Sequence, residues 1–540
     1  MVRARPSAAR GGSAPAHATA LAQHRAGRLD EAEASYRQVL AGAPANATAW
    51  HMLGVLMCQR GRFEAGIDAF ERAVAADPGL AAAWLDLGAA HRERRNLDAA
   101  LAAYGRAIGL HPANGELHNR RGEILSLARR DEEALAAYER ALALDPGKPA
   151  HAANVGAALL ALGRPGPAIA YLRDTLVRAP NHHIALANLG VAQQALGQRA
   201  DARASYGRAL DLAPAYVEAR WNLSLLDLLE GRFEAGWRGH EVRWQRPANE
   251  APRHAELPRW RAELGLAGRR MLLWAEQGLG DTLQFGRYAP WLAARGARVV
   301  LEVQAPLCAL LRTLGGVEQV VAVGQAHAPC DVQLPLMSLP GEFAAGEHVN
   351  VAPPPYVRPD PERVHRWAQR LRRRSGRPLY GLVCSGNPAH RKDAERSIAL
   401  RRFDRLLPRG DWVLLQRELR ERDEECLKRS AILDLRRDLD DFADTAAIVQ
   451  NLDLVITVDT AVAHLAGALG KPVWILLPYA PDWRWLLDRS DSPWYPSARL
   501  FRQRAPDDWD PVLDDVARAL DARAPDGTGA APPQGQQTVT

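Results

Sequence analysis

The sequence predicts a multidomain protein: an all-α superhelix of stacked helix pairs, followed by an α/β region with two doubly wound domains. Prolines recur every 34 residues through the first half of the chain. Apolar, strand-like runs alternate with helical stretches through the second half. At 540 residues the chain is too long for a single hydrophobic core. We therefore expect several domains with separate roles.

The composition excludes several classes of protein. Its 47% hydrophobic and 24% charged residues are typical of a soluble globular chain. The formal charge of +6 is modest for this length, so it gives no reason to expect a nucleic-acid surface. The five cysteines are scattered and favour neither disulfides nor a zinc site. With no apolar signal-peptide core and no run of about 18 apolar residues, we expect a cytoplasmic protein without a transmembrane segment.

The first half of the chain carries a repeat of 34 residues. Glycines and aromatic residues keep the phase of the prolines, as Gly54 does with Phe70 and Gly190 with Tyr206. A glycine on the first helix lets the second helix approach, the aromatic ring fills the space beside it, and the proline ends the second helix. Each repeat leaves an apolar face that the next repeat covers. The repeating prolines are Pro44, Pro78, Pro112, Pro146, Pro180 and Pro214.

The pattern resembles the tetratricopeptide repeat, most closely in the stretch from Ala49 to Pro78. This resemblance implies a superhelix with a concave groove over residues 13–246, made of six full repeats and a partial seventh. The seventh repeat begins near Val217 and has Ser224 and His240 at two defining positions, with tryptophans around them. These departures indicate a repeat that packs on another part of the protein.

Asparagine occupies one first-helix position in three successive repeats, at Asn154, Asn188 and Asn222. An asparagine side chain offers a donor and an acceptor together, so it can bridge the backbone of an extended peptide. Protein O-linked N-acetylglucosamine transferases hold peptide with a similar ladder, and the resemblance implies a protein or peptide acceptor. The alternative is that these residues are solvated groove positions, because earlier repeats carry other residue types there.

The periodicity changes after the repeats, and it predicts two α/β halves separated by linkers. Parallel strands bind ligands at their carboxyl ends, so two such halves predict a cleft between them. The predicted segments are a disordered N-terminus (1–12), a linker (247–268), an N-terminal half (269–355), an interdomain linker (356–375), a C-terminal half (376–523) and a disordered tail (524–540).

Polar loops follow three of the predicted strands. The first has glycines and an aspartate, the second is long and cationic, and the third places Asp459 and Thr460 before a helix of small residues. Free amides at such a helix start favour an anion, typically a phosphate. The loops cover residues 276–284, 385–397 and 456–472.

The segments GDTLQ and DTAVAHLAGAL resemble the two signature segments of the heptosyltransferase-like glycosyltransferases, family 9 of the GT-B fold. The resemblance covers roughly residues 269–520 and implies two Rossmann-like domains, sugar transfer with inversion, and no metal or other cofactor. The family's general base falls on Asp281. A carboxylate in a closed cleft suits that task, because an acceptor hydroxyl must lose its proton as it attacks. The alternative role for Asp281 is a helix N-cap.

The resemblance also implies a donor site. Ala461 departs from the glycine that the family usually has. The alternatives are a helix cap at Asp459-Thr460, a packed histidine at position 464, and a solvated charged loop. The implied donor-binding residues are Gly280, Lys392, Arg396, Asp459, Thr460, Ala461 and His464.

The sequence therefore predicts a glycosyltransferase that uses a nucleotide-diphosphate sugar and an acceptor presented by the repeats. One alternative is a non-catalytic adaptor with a degenerate GT-B half, because that fold's N-terminal half is short here. Another is a heptosyltransferase-like enzyme acting on lipopolysaccharide or another glycan. The pattern Asp438-Leu439-Asp440 is interpreted as a helix cap rather than a metal site, and the aromatic stretch from Trp483 to Tyr495 as core or as a stacking surface.

Overall fold

The computed structural model describes residues 13–246, 252–343, 351–371, 376–390 and 393–523. The chain forms two compact units, unit 1 (Met1–Ala219) and unit 2 (Arg220–Thr540). The segments predicted as disordered, 1–12 and 524–540, lie outside the described residues.

Unit 1 is built from consecutive helix pairs, one pair for each predicted repeat, which confirms the all-α part of the predicted fold. The last helix, α13, crosses into unit 2. The helices are α1 (Ser13–Arg25), α2 (Leu29–Gly42), α3 (Ala47–Gln59), α4 (Phe63–Ala76), α5 (Ala81–Glu93), α6 (Leu97–Leu110), α7 (Gly115–Leu127), α8 (Asp131–Leu144), α9 (Pro149–Ala161), α10 (Pro165–Arg178), α11 (His183–Ala195), α12 (Arg199–Leu212) and α13 (Val217–Leu229).

The helix pairs pack as the repeat pattern requires. A Cβ atom on Gly54 would lie 2.6 Å from the ring of Phe70, and one on Gly190 would lie 2.5 Å from the ring of Tyr206. Both rings are almost fully buried. Since real Cβ atoms do not approach so closely, the repeat period reflects a steric rule: the ring of the second helix lies directly on the glycine of the first.

The N-terminal half of unit 2 is a four-stranded parallel sheet with strand order β3-β2-β1-β4. Helix α14 and an adjoining 3-10 helix (Glu241–Gln245) precede the sheet. The elements are α14 (Phe233–His240), β1 (Arg270–Trp274), α15 (Leu279–Phe285), α16 (Tyr288–Ala293), β2 (Arg298–Val303), α17 (Cys308–Leu311), β3 (Val317–Ala322) and β4 (Val332–Pro335).

The C-terminal half is a six-stranded parallel sheet with strand order β10-β9-β8-β5-β6-β7. Strands β5, β8 and β9 are buried along their whole length, which explains their unbroken apolar sequences. The elements are α18 (Pro361–Arg370), β5 (Leu379–Val383), α19 (Asp393–Arg396), β6 (Asp411–Leu414), α20 (Glu421–Arg429), β7 (Leu433–Asp434), α21 (Phe442–Gln450), β8 (Leu454–Val458), α22 (Ala461–Ala468), β9 (Val473–Leu477), β10 (Ala498–Arg502) and α23 (Asp510–Asp521).

A buried arginine joins the two halves of unit 2. Arg287 follows α15, is 1% exposed, and donates to the carbonyl oxygens of Gln284 (2.9 Å) and Trp494 (3.1 Å). Its guanidinium also lies 4.9 Å from the ring centroid of Tyr356 and 5.0 Å from that of Tyr495. These partners are uncharged, so hydrogen bonds and aromatic faces replace the water that the cation loses on burial.

Residues 220–246, which the sequence assigns to the repeat array, belong to unit 2. Trp237 on α14 is 2% exposed and lies edge-on to Phe285 and Trp483 at 5.6 and 5.0 Å between ring centroids. The seventh repeat thus packs on both α/β halves through Trp237, one of the tryptophans that distinguish it from the other repeats.

An ion pair fixes the end of this repeat to the loop after β1. Arg243 is fully buried and donates to both carboxylate oxygens of Glu276, at 2.6 and 2.9 Å. It also donates to Glu241 (2.7 Å) and to the hydroxyl of Ser338 (2.7 Å). A bidentate pair of this kind fixes direction as well as distance. The loop that carries Asp281 is therefore held at its first residue.

Among the described residues, no helix combines the length and apolar character needed to cross a membrane.

The steric rule of the repeats predicts opposite effects for two glycines. Gly190→Ala should destabilise the protein by about 1–3 kcal/mol, because the new methyl group would overlap Tyr206. Gly207→Ala, one helix later, meets no heavy atom within 4 Å and should stabilise by about 1 kcal/mol. Thermal unfolding followed by helical circular dichroism compares the two variants, and equal midpoints would contradict the rule.

Candidate active site

Two loops, one from each sheet of unit 2, meet at their strand ends. A Cβ atom on Gly280 would lie 2.8 Å from Cδ2 of His464 and 3.5 Å from Cα of Ala461. The backbone of α15 at Gly280 therefore packs directly against the His464 side chain of α22, and the absence of a side chain at position 280 permits this contact. We call this contact region, with Asp281, Asp459 and the side chains around them, the junction.

Asp281 is the third residue of α15, and both of its carboxylate oxygens are bonded. Oδ2 accepts a hydrogen bond from the Gly278 amide at 2.8 Å, and Oδ1 accepts one from Arg484. Burial raises the pKa of Asp281, the Arg484 cation opposes this shift, and the negative charge of Asp482 adds to it. The residue therefore lies at the junction. It is not the N-cap of α15, which is Gly278, but the third residue of the helix, and its carboxylate accepts from the N-cap amide.

Arg484 is the residue of the junction that the sequence analysis missed. It lies after β9 in a 3-10 helix (Trp483–Trp485), and its side chain is 10% exposed. It donates to Gln284 Oε1 and Asp482 Oδ1, each at 2.8 Å, as well as to Asp281. Its guanidinium also stacks 4.3 Å from the ring centroid of Trp483. An arginine within an aromatic run gave no sign of a partner 203 residues earlier.

The small residues of α22 allow a dense layer of rings to cover that helix. His464 Nδ1 lies 2.9 Å from the Tyr495 hydroxyl, and its ring stacks on Trp485 at 5.4 Å. A Cβ atom on Gly467 would overlap the Tyr495 ring. Burial, with a contribution from the Arg484 cation, lowers the pKa of His464 to about 3, so the ring is neutral at physiological pH. The aromatic residues predicted either to pack or to stack on a ligand are core here: Trp483, Trp485 and Tyr495 are 5%, 0% and 0% exposed.

Asp459 and Thr460 lie between β8 and α22. Thr460 is the N-cap residue, but its hydroxyl makes no cap bond and lies 3.1 Å from the hydroxyl of Thr457. Burial raises the pKa of the Asp459 carboxyl to about 6; the charge of Asp482 adds to this shift and Arg396 opposes it. A helix start whose amides are not capped by the N-cap side chain, next to a carboxyl of raised pKa, is a suitable place for an anionic group.

Arg396 reaches the junction from the loop after β5. Its Nη1 donates to the backbone oxygen of Asp459 at 2.8 Å, and its Nε donates to the buried carboxylate of Asp393 at 3.3 Å. A Cβ atom on Gly386 would lie 2.6 Å from Nη2, so this glycine lets the guanidinium lie over the strand end. Lys392, the other cation predicted here, lies outside the described residues.

The asparagine positions are half-buried, each on the first helix of a repeat. Asn154 donates from Nδ2 to Asn119 Oδ1 at 2.8 Å, so one of its two donor hydrogens is already bonded. Asn154 and Asn188 belong to unit 1, and Asn222 belongs to unit 2.

The interpretation of Asp438-Leu439-Asp440 as a helix cap is wrong, because the cap of α21 is the residue that follows this pattern. Asp438 pairs with Arg370 at 2.9 Å, and the N-cap of α21 is Asp441, which accepts from the Asp444 amide at 2.9 Å. Over the described part of the chain, no group of three or more His, Cys, Asp or Glu side chains is placed to hold a metal ion.

Known protein families match two parts of this chain, the repeats and a stretch of the C-terminal half. The sequence model of the tetratricopeptide repeat matches residues 17–81, 85–149 and 184–216. That of glycosyltransferase family 9 (heptosyltransferase) matches residues 438–494, which include Asp459, His464 and Arg484.

A curated relative, Protein FlbA of Caulobacter vibrioides, is 28% identical over 320 residues, covering 54% of this chain and 52% of its own. The chain thus spans about half the length of that relative.

Several solved structures, among them tetratricopeptide repeat proteins, match part of this chain. YrrB, described as having an unusual peptide-binding site, is 20% identical with a TM-score of 0.31 over 34% of this chain and 95% of its own. PilF of Pseudomonas aeruginosa is 18% identical, with a TM-score of 0.34 over 38% of this chain and 95% of its own. A tetratricopeptide repeat protein of Parabacteroides merdae is 13% identical, with a TM-score of 0.39 over 44% of this chain and 94% of its own. By the matches to the family models, the chain joins tetratricopeptide repeats to an α/β region whose C-terminal part matches glycosyltransferase family 9.

Proposed function

We propose that the protein is a glycosyltransferase that moves a sugar from a nucleotide-diphosphate donor to a protein or peptide acceptor bound by the repeats. The observation that carries this proposal is the meeting of Gly280 and Asp281, at the end of β1, with the start of α22 at the end of β8. Carboxyl ends of parallel strands are where open α/β sheets bind ligands. Here two such ends, from two sheets, adjoin one another.

Asp281 is the proposed general base. As the acceptor hydroxyl attacks the anomeric carbon, its oxygen forms the new glycosidic bond and its proton passes to the carboxylate. Burial favours this role, because it raises the pKa of Asp281 and makes the carboxylate a stronger proton acceptor. Attack opposite to the leaving group inverts the anomeric carbon.

The leaving diphosphate is proposed to lie between the start of α22 and Arg396. Free amides near Ala461 and the guanidinium of Arg396 offer positive charge where negative charge develops on the leaving oxygen. Asp393 holds Arg396 in direction, since it accepts from its Nε. Asp459 and Thr460 border the same position, and Lys392 is proposed as a further cation. This arrangement is proposed to need no metal or other cofactor.

A second candidate, a non-catalytic adaptor, has one specific observation in its favour. Both oxygens of Asp281 are already bonded, one to a backbone amide and one to Arg484. A carboxylate held in this way stabilises a fold whether or not chemistry takes place. Ala461, which departs from the family's glycine, points in the same direction.

The acceptor is proposed to be protein because stacked helical repeats of this kind use concave surfaces for binding, and asparagine pairs well with peptide backbone. A lipopolysaccharide or other glycan acceptor would leave the array without a role. A reducing, cytoplasmic setting is part of this proposal and agrees with the five cysteines, all of them free.

The first prediction concerns turnover. Asp281→Asn should lower nucleoside-diphosphate release by about 10²–10⁴-fold, because it removes the proton acceptor. Donor affinity should change little, because Arg396 and the start of α22 stay in place while the ion pair with Arg484 is lost. The measurement is release from a panel of nucleotide sugars, with and without cell lysate as acceptor, together with calorimetric donor binding. Asp360→Asn, which changes the N-cap of α18, is the matched control. If no donor is bound or consumed, the adaptor candidate stands instead.

The second prediction concerns the acceptor. Replacing Asn154, Asn188 and Asn222 together by alanine should raise the KM for a protein acceptor about tenfold or more, since each lost hydrogen bond costs about 1 kcal/mol. Donor hydrolysis without acceptor should not change. Asn181→Ala, at an exposed turn, is the control. An unchanged KM, with the variant folded as judged by circular dichroism, would contradict peptide binding at these positions.

The third prediction concerns pH. Because the pKa of Asp459 is raised to about 6 in the folded state, the folded protein holds a proton that the unfolded chain releases near its ordinary value of 3.8. The resulting stability is lost as pH rises through about 6. Between pH 5 and pH 8 the wild type should therefore lose more thermal stability than Asp459→Asn does. Asp508→Asn, at an exposed site, should follow the wild type, and parallel curves for all three would refute the assignment.

A further inference from the structure

Arg484 connects the C-terminal half of unit 2 to the candidate base in the other half. It is anchored on its own side by Asp482, which accepts both from the Arg484 backbone amide (3.0 Å) and from Nη1 (2.8 Å). Across the junction it reaches two residues of α15, Gln284 and Asp281. Three nitrogens of one guanidinium thus have three different partners, so the group cannot rotate without losing a bond.

Asp281 has this one strong cationic partner and several weaker neighbours. Asp482 opposes ionisation of Asp281, whereas the Gly278 amide and His390 favour it. His464, which packs on Gly280 beside it, is neutral. Burial itself disfavours a charged carboxylate. Ionisation of Asp281 in this setting therefore depends mainly on Arg484.

We propose that Arg484 is a positioning residue for the base: it orients the Asp281 carboxylate and keeps it ionised, and it acts from the opposite half of the unit. This inference rests on the proposed function, in which Asp281 takes the acceptor proton. It also implies that the orientation and ionisation of the base depend on contact between the two halves of unit 2.

The pairing can be tested without any substrate. We would measure thermal midpoints of the full chain for wild type, Asp281→Asn, Arg484→Gln and the double variant, at several values between about pH 5 and pH 8. If Arg484 keeps Asp281 ionised, the decreases in thermal midpoint of the two single variants should add up to more than the decrease of the double variant. That difference should grow as pH rises, because an ionised Asp281 without Arg484 is a buried, unpaired charge.

A non-additivity that stays constant with pH would mean that the contact is structural packing, and additivity at all pH values would mean that the pair is not formed. Either outcome overturns the inference. Arg502→Gln is the matched control, since Arg502 braces the same segment by donating to the Trp485 carbonyl (2.6 Å). It should lower the midpoint without coupling to Asp281→Asn.

The second test uses the donor from the nucleotide-sugar panel that the wild type consumes. In Arg484→Gln the acid limb of the pH profile for kcat/KM should move up by about 1–3 pH units, because the opposite charge that favours ionisation is gone. Arg484→Lys should restore part of the shift, and Arg502→Gln should leave the limb in place. A uniform loss of rate at every pH, with an unmoved limb, would refute the positioning role.

The two tests separate the inference from the function beneath it. If coupling grows with pH but no donor is consumed, the Arg484 pairing stands and the glycosyltransferase proposal fails. If a donor is consumed and the acid limb is unmoved, the function stands and the inference fails.

Discussion

The approach of α22 to α15 is the constraint on which the rest of unit 2 depends. Position 280 has no room for a side chain against His464, and the residues of α22 that face inward are small enough for rings to cover them. Close contact between two helix starts also brings together the polar groups that follow two strands. Sterics therefore decide where the charged groups of the junction meet, and the charges then decide what that place can bind.

Buried arginines fix this arrangement from three directions. Arg243 pairs with Glu276 at the start of the loop after β1, and Arg287 joins the two halves through carbonyl and aromatic partners. Arg484 donates to the carboxylate of Asp281 on α15. Burying so many cations is costly unless every donor finds a partner. A guanidinium suits the task because its planar fork can bond several acceptors at once. At the level of sequence the high arginine content is only a compositional bias. In the structure, buried arginines hold the segments of unit 2 together.

Much of the fold could be predicted from sequence because its rules are local. The repeat follows from glycine and ring positions 16 residues apart, as in Gly54 and Phe70, and the buried strands follow from unbroken apolar runs. Strand β10 is hard to recognise from sequence, because Arg499 interrupts its apolar run at an edge position, where one side chain is exposed. Two short helices, α15 and α16, follow β1, and α15 starts early enough to include Asp281, within the predicted loop, in its first turn.

The candidate site was predictable only in part. General rules for parallel strands select the loops of Asp281 and Asp459, and both loops lie at the junction. Arg484 could not be found in this way, because its partner is distant in sequence and its neighbours are aromatic. The assignment of residues 220–246 to unit 2 likewise depends on tertiary contacts. Pairing across long separations is what local patterns cannot encode.

The Arg243 network has a consequence for how the protein can be divided. A fragment that starts at the first strand of the α/β region would leave Glu276 as a buried carboxylate without its arginine, a loss of about 3–5 kcal/mol for an uncompensated charge. It would also uncover Phe285 and Trp483, which Trp237 otherwise shields. An autonomous α/β fragment must therefore begin near residue 220, inside what the repeat period marks as the last tetratricopeptide unit.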